Sequence, residues 1–172
     1  MRKGYVQVYT GNAKGKTTAA MGLALRSAGA GRKVYIAQFI KHRRSSEFRA
    51  LERLGDLVTI SQFGTGFLRA GTPGKPAREA ARKGLEEVRH ALRSGEYALV
   101  ILDEINVATH YGLVSVDDLL QLINEKPANV ELVLTGRYAD ERVIERADLV
   151  TEMREIKHYY RKGVKARLGI EF

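Results

Sequence analysis

Short apolar runs and longer amphipathic stretches alternate from one end of the chain to the other. Gly4 to Tyr9 sets Val6 and Val8 on one face and predicts a first strand, and Thr17 to Ala28, rich in Ala, Leu and Met, predicts a helix. Gly29 or Gly31 can close that helix by taking a left-handed conformation. Val34 to Ile40 is almost continuously apolar at strand length, the pattern of a parallel strand covered on both faces. Phe48, Leu51 and Leu54 recur at helical spacing over Ser46 to Leu54, and Leu57 to Phe63 alternates as a strand does.

The next stretch, Gly64 to Pro76, carries Gly64, Gly66, Gly71, Gly74, Pro73 and Pro76 and predicts a loop, long enough to suggest a functional one. Ala77 to Ser94 then places Ala81, Leu85, Val88 and Leu92 on one helical stripe, with Gly95 as its stop and His90 as a surface or packing residue. Tyr97 to Glu104 is an apolar strand that ends in two carboxylates. Ile105 to Tyr111 predicts a short helix, and Ser115 caps another through Asn124, with Asp118 where a capping box usually has Glu. Pro127 breaks it. Val130 to Arg137 is a strand and turn, Asp140 to Arg146 a short helix, and Leu149 to Met153 a last strand. Strands alternating with helices predict an α/β fold, a mostly parallel twisted sheet with helices on both faces. Residues 1–172 are expected to form a single α/β domain with a basic tail from about residue 155.

Composition narrows this further. A chain of 172 residues, 44% hydrophobic, suits one domain with a sizeable core and leaves no room for a second. Lys and Arg total 29 against 20 for Asp and Glu, and the resulting +9 favours an anionic partner without naming it. The lack of cysteine excludes a disulfide framework, a thiolate nucleophile and a cysteine zinc site. Met1-Arg2-Lys3-Gly4 leads into the first strand with no apolar signal segment, and no run is long enough to span a membrane. A soluble, cytoplasmic protein with no membrane partner is the expectation.

The chemistry is carried first by Thr10-Gly11-Asn12-Ala13-Lys14-Gly15-Lys16-Thr17-Thr18, between a predicted strand and a predicted helix. That context makes it a phosphate-binding loop: backbone N–H groups and the helix N-terminus attract anions, Lys16 adds a mobile charge, and the Thr17 hydroxyl can ligate magnesium. The usual first glycine is Thr10 here, with Gly11 displaced by one. Asp103 and Glu104 stand at the strand end where such proteins hold magnesium, directly or through water. Lys41 at the end of the second strand, followed by His42, Arg43 and Arg44, and Arg137 after a later strand fall on the same sheet edge. The tail from Lys157 to Arg167 mixes basic and aromatic residues, which suits a solvated segment or one that binds single-stranded nucleic acid.

Together these motifs resemble the P-loop corrinoid adenosyltransferases, over nearly the whole chain. The resemblance rests on Val8 to Asn12 with Lys14 to Ala20, Gln38 to Lys41, Gly64 to Phe67, Leu102 to Asn106, Leu134 to Arg137, Asp148 to Met153, Lys157-His158, Gly163 to Ala166 and Gly169 to Phe172. It implies transfer of the adenosyl group of ATP to the Co(I) of a corrinoid (cobalamin, cobinamide or a precursor), with release of triphosphate. By resemblance, Gly11, Asn12, Ala13, Lys14, Gly15, Lys16, Thr17 and Thr18 bind triphosphate together with Lys41 and Arg137, and Thr17 and Glu104 ligate Mg2+ with Asp103 in support. Lys16, Thr17, Glu104 and Phe67 are the implied catalytic residues, Phe67 matching an aromatic that helps strip the lower axial ligand of the corrinoid. Arg69 stands where some members have a second aromatic, Ala13 replaces a common loop glycine, and a glycine often found after Lys41 is missing. With the first strand so near residue 1, the N-terminal extension of longer members is expected to be absent. An electron-donating reductase or flavoprotein and a second copy in a homodimer are the partners implied.

Two other readings compete. A P-loop ATPase or kinase that cleaves the γ-phosphate shares the loop and Asp103-Glu104 but leaves Gly64 to Phe67 and the tail without a role. A basic nucleic-acid-binding module uses the charge and the tail but has no need of a carboxylate pair at a strand end, which weighs against nucleic acid as the partner.

Overall fold

The computed structural model describes residues 3–41, 45–66 and 73–172. Among these residues six strands form one sheet: β1 (Val6–Thr10), β2 (Val34–Gln38), β3 (Val58–Gln62), β4 (Leu99–Asp103), β5 (Glu131–Thr135) and β6 (Leu149–Glu152). Their order across the sheet is β3-β2-β4-β5-β1-β6, and every pairing is parallel. Parallel neighbours need crossovers, and helices supply them. Helices α1 (Lys16–Gly29), α2 (Ser46–Glu52) and α3 (Lys75–Arg93) follow β1, β2 and β3. Helices α4 (Ile105–His110) and α5 (Val116–Glu125) join β4 to β5, and α6 (Glu141–Arg146) joins β5 to β6.

The apolar runs are continuous because the central strands are covered on both sides. Val34 and Ile36 of β2, Leu99 and Ile101 of β4 and Val133 of β5 pack with Ala20, Met21 and Ala24 of α1 and Phe48 of α2. Their neighbours Tyr35, Ala37, Val100, Leu102, Leu132 and Leu134 turn to the other face, against Leu85 and Val88 of α3 and Leu119 and Leu122 of α5. Alternation along a strand thus divides one apolar run between two cores. The expected α/β architecture, with helices on both faces of a parallel sheet, is what the chain adopts.

Most boundaries shift by a residue or two from the sequence pattern, and two of the shifts have plain physical reasons. Strand β2 ends at Gln38, although the apolar run continues through Phe39, which is 1% exposed; the run reports burial, and burial outlasts the strand. Helix α3 begins at Lys75 and takes Pro76 into its first turn, where a missing N–H costs no helical hydrogen bond.

Parallel register gathers the carboxyl ends at one edge. Gln38 lies opposite both Gln62 and Asp103, Tyr9 opposite Thr135, and Thr10 opposite Glu152. Gln38, Asp103 and Thr135, all buried, therefore meet where β1 opens into its glycine loop. Beyond β6 the chain makes a 3-10 turn at Tyr159–Lys162 and runs on to Phe172.

Candidate active site

The loop turn begins one residue later than the common spacing because Thr10 remains in β1, paired with Glu152. Gly11 makes the turn at φ 95, and a Cβ there would run into the backbone of Met153. Met153 braces the loop on that side, donating its N–H to Thr10 O (2.9 Å) and accepting from Ala13 N (2.9 Å). Gly15 closes the loop at φ 116, and no side chain caps α1. The N–H groups of the first helical turn are thus left for an anionic ligand, at the positive end of the helix dipole.

Lys16 is the one loop cation folded inward. Its Nζ donates to Gly11 O (2.8 Å) and Ala13 O (2.6 Å), and the residue is 8% exposed. Burial pushes its ammonium below the ordinary lysine value, while the Glu104 carboxylate opposes the drop and Arg137 and Lys41 add to it. Lys14 points elsewhere, to Tyr159, Ile170 and Glu171. Asn12 and Thr18 are exposed.

Asp103 is fully buried, and both of its carboxylate oxygens accept from the protein. Oδ1 accepts from the Thr17 hydroxyl (2.9 Å) and the Thr135 hydroxyl (2.7 Å), and Oδ2 accepts from Gln38 Nε2 (2.9 Å). Gln62 Nε2 donates in turn to Gln38 Oε1 (2.7 Å). The chain of bonds crosses β3, β2, β4 and β5 and ends on α1. Because Thr17 spends its proton on Asp103, its oxygen lone pairs remain free for a cation.

Glu104 occupies the left-handed region at φ 61, ψ 20, uncommon for a residue with a side chain. That twist takes it out of the strand path, with its N–H on Thr135 Oγ1 (3.0 Å) and its carboxylate 3.7 Å from Lys41 Nζ. Burial pushes its carboxyl above the ordinary value; Asp103 pushes the same way, and Lys41, Lys16 and Arg137 pull it back. Arg137 follows Gly136, which packs against Asn106 and Val107 of α4 and accepts from Asn106 Nδ2 (3.3 Å). Lys41 and Arg137 thus lie close enough to act on the charges of both Lys16 and Glu104.

Hard oxygen donors of this kind suit magnesium. Thr17 and Glu104 offer unspent oxygens, whereas Asp103 is spent on orienting Thr17. Among the described residues no three His, Asp or Glu side chains converge as a metal site of their own. Phe67, Arg69 and Arg43-Arg44 lie outside the described residues. The start of the loop that leads to Phe67 sits beside Lys41, with Gly66 N donating to Ile40 O (3.3 Å). Residue reading missed the parts played by Gln38, Gln62 and Thr135. For Gln38 and Thr135 the available signal was a polar side chain closing an apolar run; β3, with Thr59 and Ser61 inside it, gave none for Gln62.

A glycine loop between β1 and α1, a buried carboxylate bonded to the first helical threonine and an all-parallel sheet define a P-loop nucleotide-binding protein. The fold is similar to that of the flagellar accessory protein FlaH from Methanocaldococcus jannaschii, at TM-score 0.61 and 13% identity over 88% of this chain and 72% of that one. Residues 2–172 match the family model for ATP:corrinoid adenosyltransferase BtuR/CobO/CobP, and the chain belongs to that family. A corrinoid adenosyltransferase from Sinorhizobium is 38% identical over 99% of this chain and 81% of its own length. One from Escherichia coli K12 is 35% identical, with 99% and 86% covered, and one from Pseudomonas aeruginosa 36%, with 99% and 84%.

Proposed function

We propose that this chain transfers the 5′-deoxyadenosyl group of ATP to the Co(I) centre of a corrinoid, in adenosylcobalamin synthesis or salvage. Cobalt donates an electron pair to C5′; the Co–C bond forms as the C5′–O5′ bond breaks. Triphosphate leaves with the bonding pair, and cobalt ends as Co(III). A nucleophile of this strength needs no general base. What the protein must do is align C5′ with cobalt and stabilise the charge that collects on the triphosphate.

In this reading the N–H groups of Gly11 to Thr18 cradle the triphosphate, and Lys16 exchanges the carbonyls of Gly11 and Ala13 for phosphate oxygens. Lys41 and Arg137 add charge at the same edge. Thr17 and Glu104 would hold magnesium, which neutralises phosphate charge when bound. The observation that carries the reading is the Thr17 to Asp103 hydrogen bond (2.9 Å), which joins the phosphate loop to the carboxylate strand. Phe67 is assigned to the corrinoid side by family resemblance.

The reaction needs cobalt reduced to Co(I), so an electron-donating reductase or flavoprotein is the partner we assign. A homodimer accords with the uncovered edge strand β6, where Leu149 and Val150 are 46% and 41% exposed. Among the described residues no helix is long and apolar enough to cross a membrane, and a cytoplasmic setting is proposed.

The test is anaerobic incubation with ATP, magnesium and chemically reduced cobalamin or cobinamide. Formation of a light-sensitive adenosyl–cobalt spectrum with stoichiometric free triphosphate is expected. Release of ADP and phosphate with no such spectrum would overturn the assignment in favour of γ-phosphate cleavage.

A further inference from the structure

Lys14 sits inside the phosphate loop, yet its ammonium is wholly engaged by the far end of the chain. Nζ donates to the Tyr159 hydroxyl (3.0 Å), to Ile170 O (3.0 Å) and to Glu171 Oε1 (2.9 Å). An ammonium has three donors, and these partners use all of them. Glu171, with a side chain 16% exposed, is the hub: it also accepts from the Tyr159 hydroxyl, from Arg167 N (2.7 Å) and from Arg167 Nη2 (3.2 Å). Arg167 and Lys14 both lie over the Tyr159 ring, at 5.1 and 5.7 Å from its centroid. Ser46 Oγ at the start of α2 donates to Phe172 O (3.1 Å), so the segment reaches from the phosphate loop to the second crossover helix.

We propose that the segment from Tyr159 to Glu171 is a clasp on the phosphate loop, with Lys14 and Glu171 as its positioning residues. The loop is pinned at two adjacent residues from two directions: Ala13 by Met153, and Lys14 by the clasp. Ala13 O is in turn one of the two acceptors for Lys16. Fixing Ala13 and Lys14 therefore fixes the loop amides and the anchorage of the inward lysine before any nucleotide arrives, which lowers the ordering cost of binding. Lys14 then serves the triphosphate through loop geometry, its charge already neutralised by Glu171, and is not itself a phosphate ligand. The inference rests on the triphosphate site described above and deepens it.

The test uses the full chain and inorganic triphosphate with magnesium, titrated calorimetrically, beside amide hydrogen exchange of the ligand-free protein. Lys14→Met, Glu171→Gln and the double variant are each expected to weaken triphosphate binding by about tenfold, the double no more than the singles, because all three remove one linked contact. Exchange at residues 12–15 should speed up in all three. Lys14→Arg should restore most of the affinity, and KM for ATP should rise far more than kcat falls. Weakened binding in Lys14→Met with unchanged or tighter binding in Glu171→Gln would make Lys14 a direct phosphate ligand and overturn the clasp. Unchanged loop exchange in Glu171→Gln would overturn it too. A wild-type chain that binds no triphosphate would instead overturn the site reading, and the exchange measurement would still decide the clasp.

Discussion

Thr17, in the first turn of α1, gives its hydroxyl proton to Asp103 at the end of β4 across 2.9 Å. The bond joins β4 to the helix that follows β1, although β1 and β4 are not neighbours: β5 lies between them in the sheet. Thr135 of β5 donates to the same carboxylate oxygen at 2.7 Å, so Asp103 ties β4 to both β5 and α1.

Replacing this carboxylate tests the tie. Asp103→Asn keeps the shape but puts an NH2 group where the buried oxygens receive protons from Thr17, Thr135 and Gln38. At least one donor then faces another. A stability loss of about 2–4 kcal/mol is expected, read from chemical denaturation at neutral pH. Turnover should fall more steeply than stability, because Thr17 loses the partner that orients its lone pairs.

Glu104 should behave in the opposite sense. Its carboxyl is raised by burial and by Asp103, so the charged form is disfavoured in the folded chain. A carboxyl raised on folding contributes full stability below its unfolded pKa and loses it as pH rises through the folded value. Glu104→Gln should therefore raise the melting temperature at neutral pH, with the gain vanishing below the ordinary glutamate pKa. The same variant should lose magnesium-dependent turnover. A variant no more stable than wild type at pH 7 would refute this account.

How far these features are legible in the sequence depends on how local their causes are. Strands β2 and β4 are readable because burial on both faces forces unbroken apolar runs such as Leu99 to Leu102. The phosphate loop is readable because Gly15-Lys16-Thr17 falls between a strand and a helix, and Asp103 because a charge ending an apolar strand is conspicuous. Gln38 and Thr135 are not, since an amide or hydroxyl at a strand end looks the same whether it meets water or a buried carboxylate. The clasp is least legible of all: Lys14 and Glu171 are 157 positions apart, and the basic-aromatic composition of the tail suits a solvated segment equally well. Only tertiary packing reveals that its one carboxylate hub turns back to the loop.

Lys16 supplies the mobile charge, and its removal should be felt in catalysis more than in folding. Among the described residues Nζ bonds the carbonyls of Gly11 and Ala13, so Lys16→Ala forfeits two hydrogen bonds within a loop that Met153 still braces. A modest fall in melting temperature is expected. Triphosphate release with reduced corrinoid should drop roughly 100-fold or more, the scale of losing one preorganised charge from a transition state. Single-turnover spectra of the adenosyl–cobalt product are the measurement, and near-normal turnover would remove Lys16 from the machinery.

Magnesium should bind only with nucleotide. Thr17 and Glu104 offer two oxygens, Asp103 is spent on Thr17, Thr135 and Gln38, and among the described residues no acidic triad converges. Magnesium keeps several waters and takes the rest of its octahedron from one or two protein oxygens and substrate phosphates, so two protein ligands fall short of holding it alone. Millimolar magnesium without nucleotide should leave the melting temperature unchanged, ATP with a chelator should raise it slightly, and the two together should raise it more than the sum. The same experiment on Glu104→Gln should lose the synergy while keeping most of the shift given by ATP with chelator, because the loop amides and Lys16 remain. A magnesium-induced shift without nucleotide would mean that the protein supplies a ligand set beyond Thr17 and Glu104.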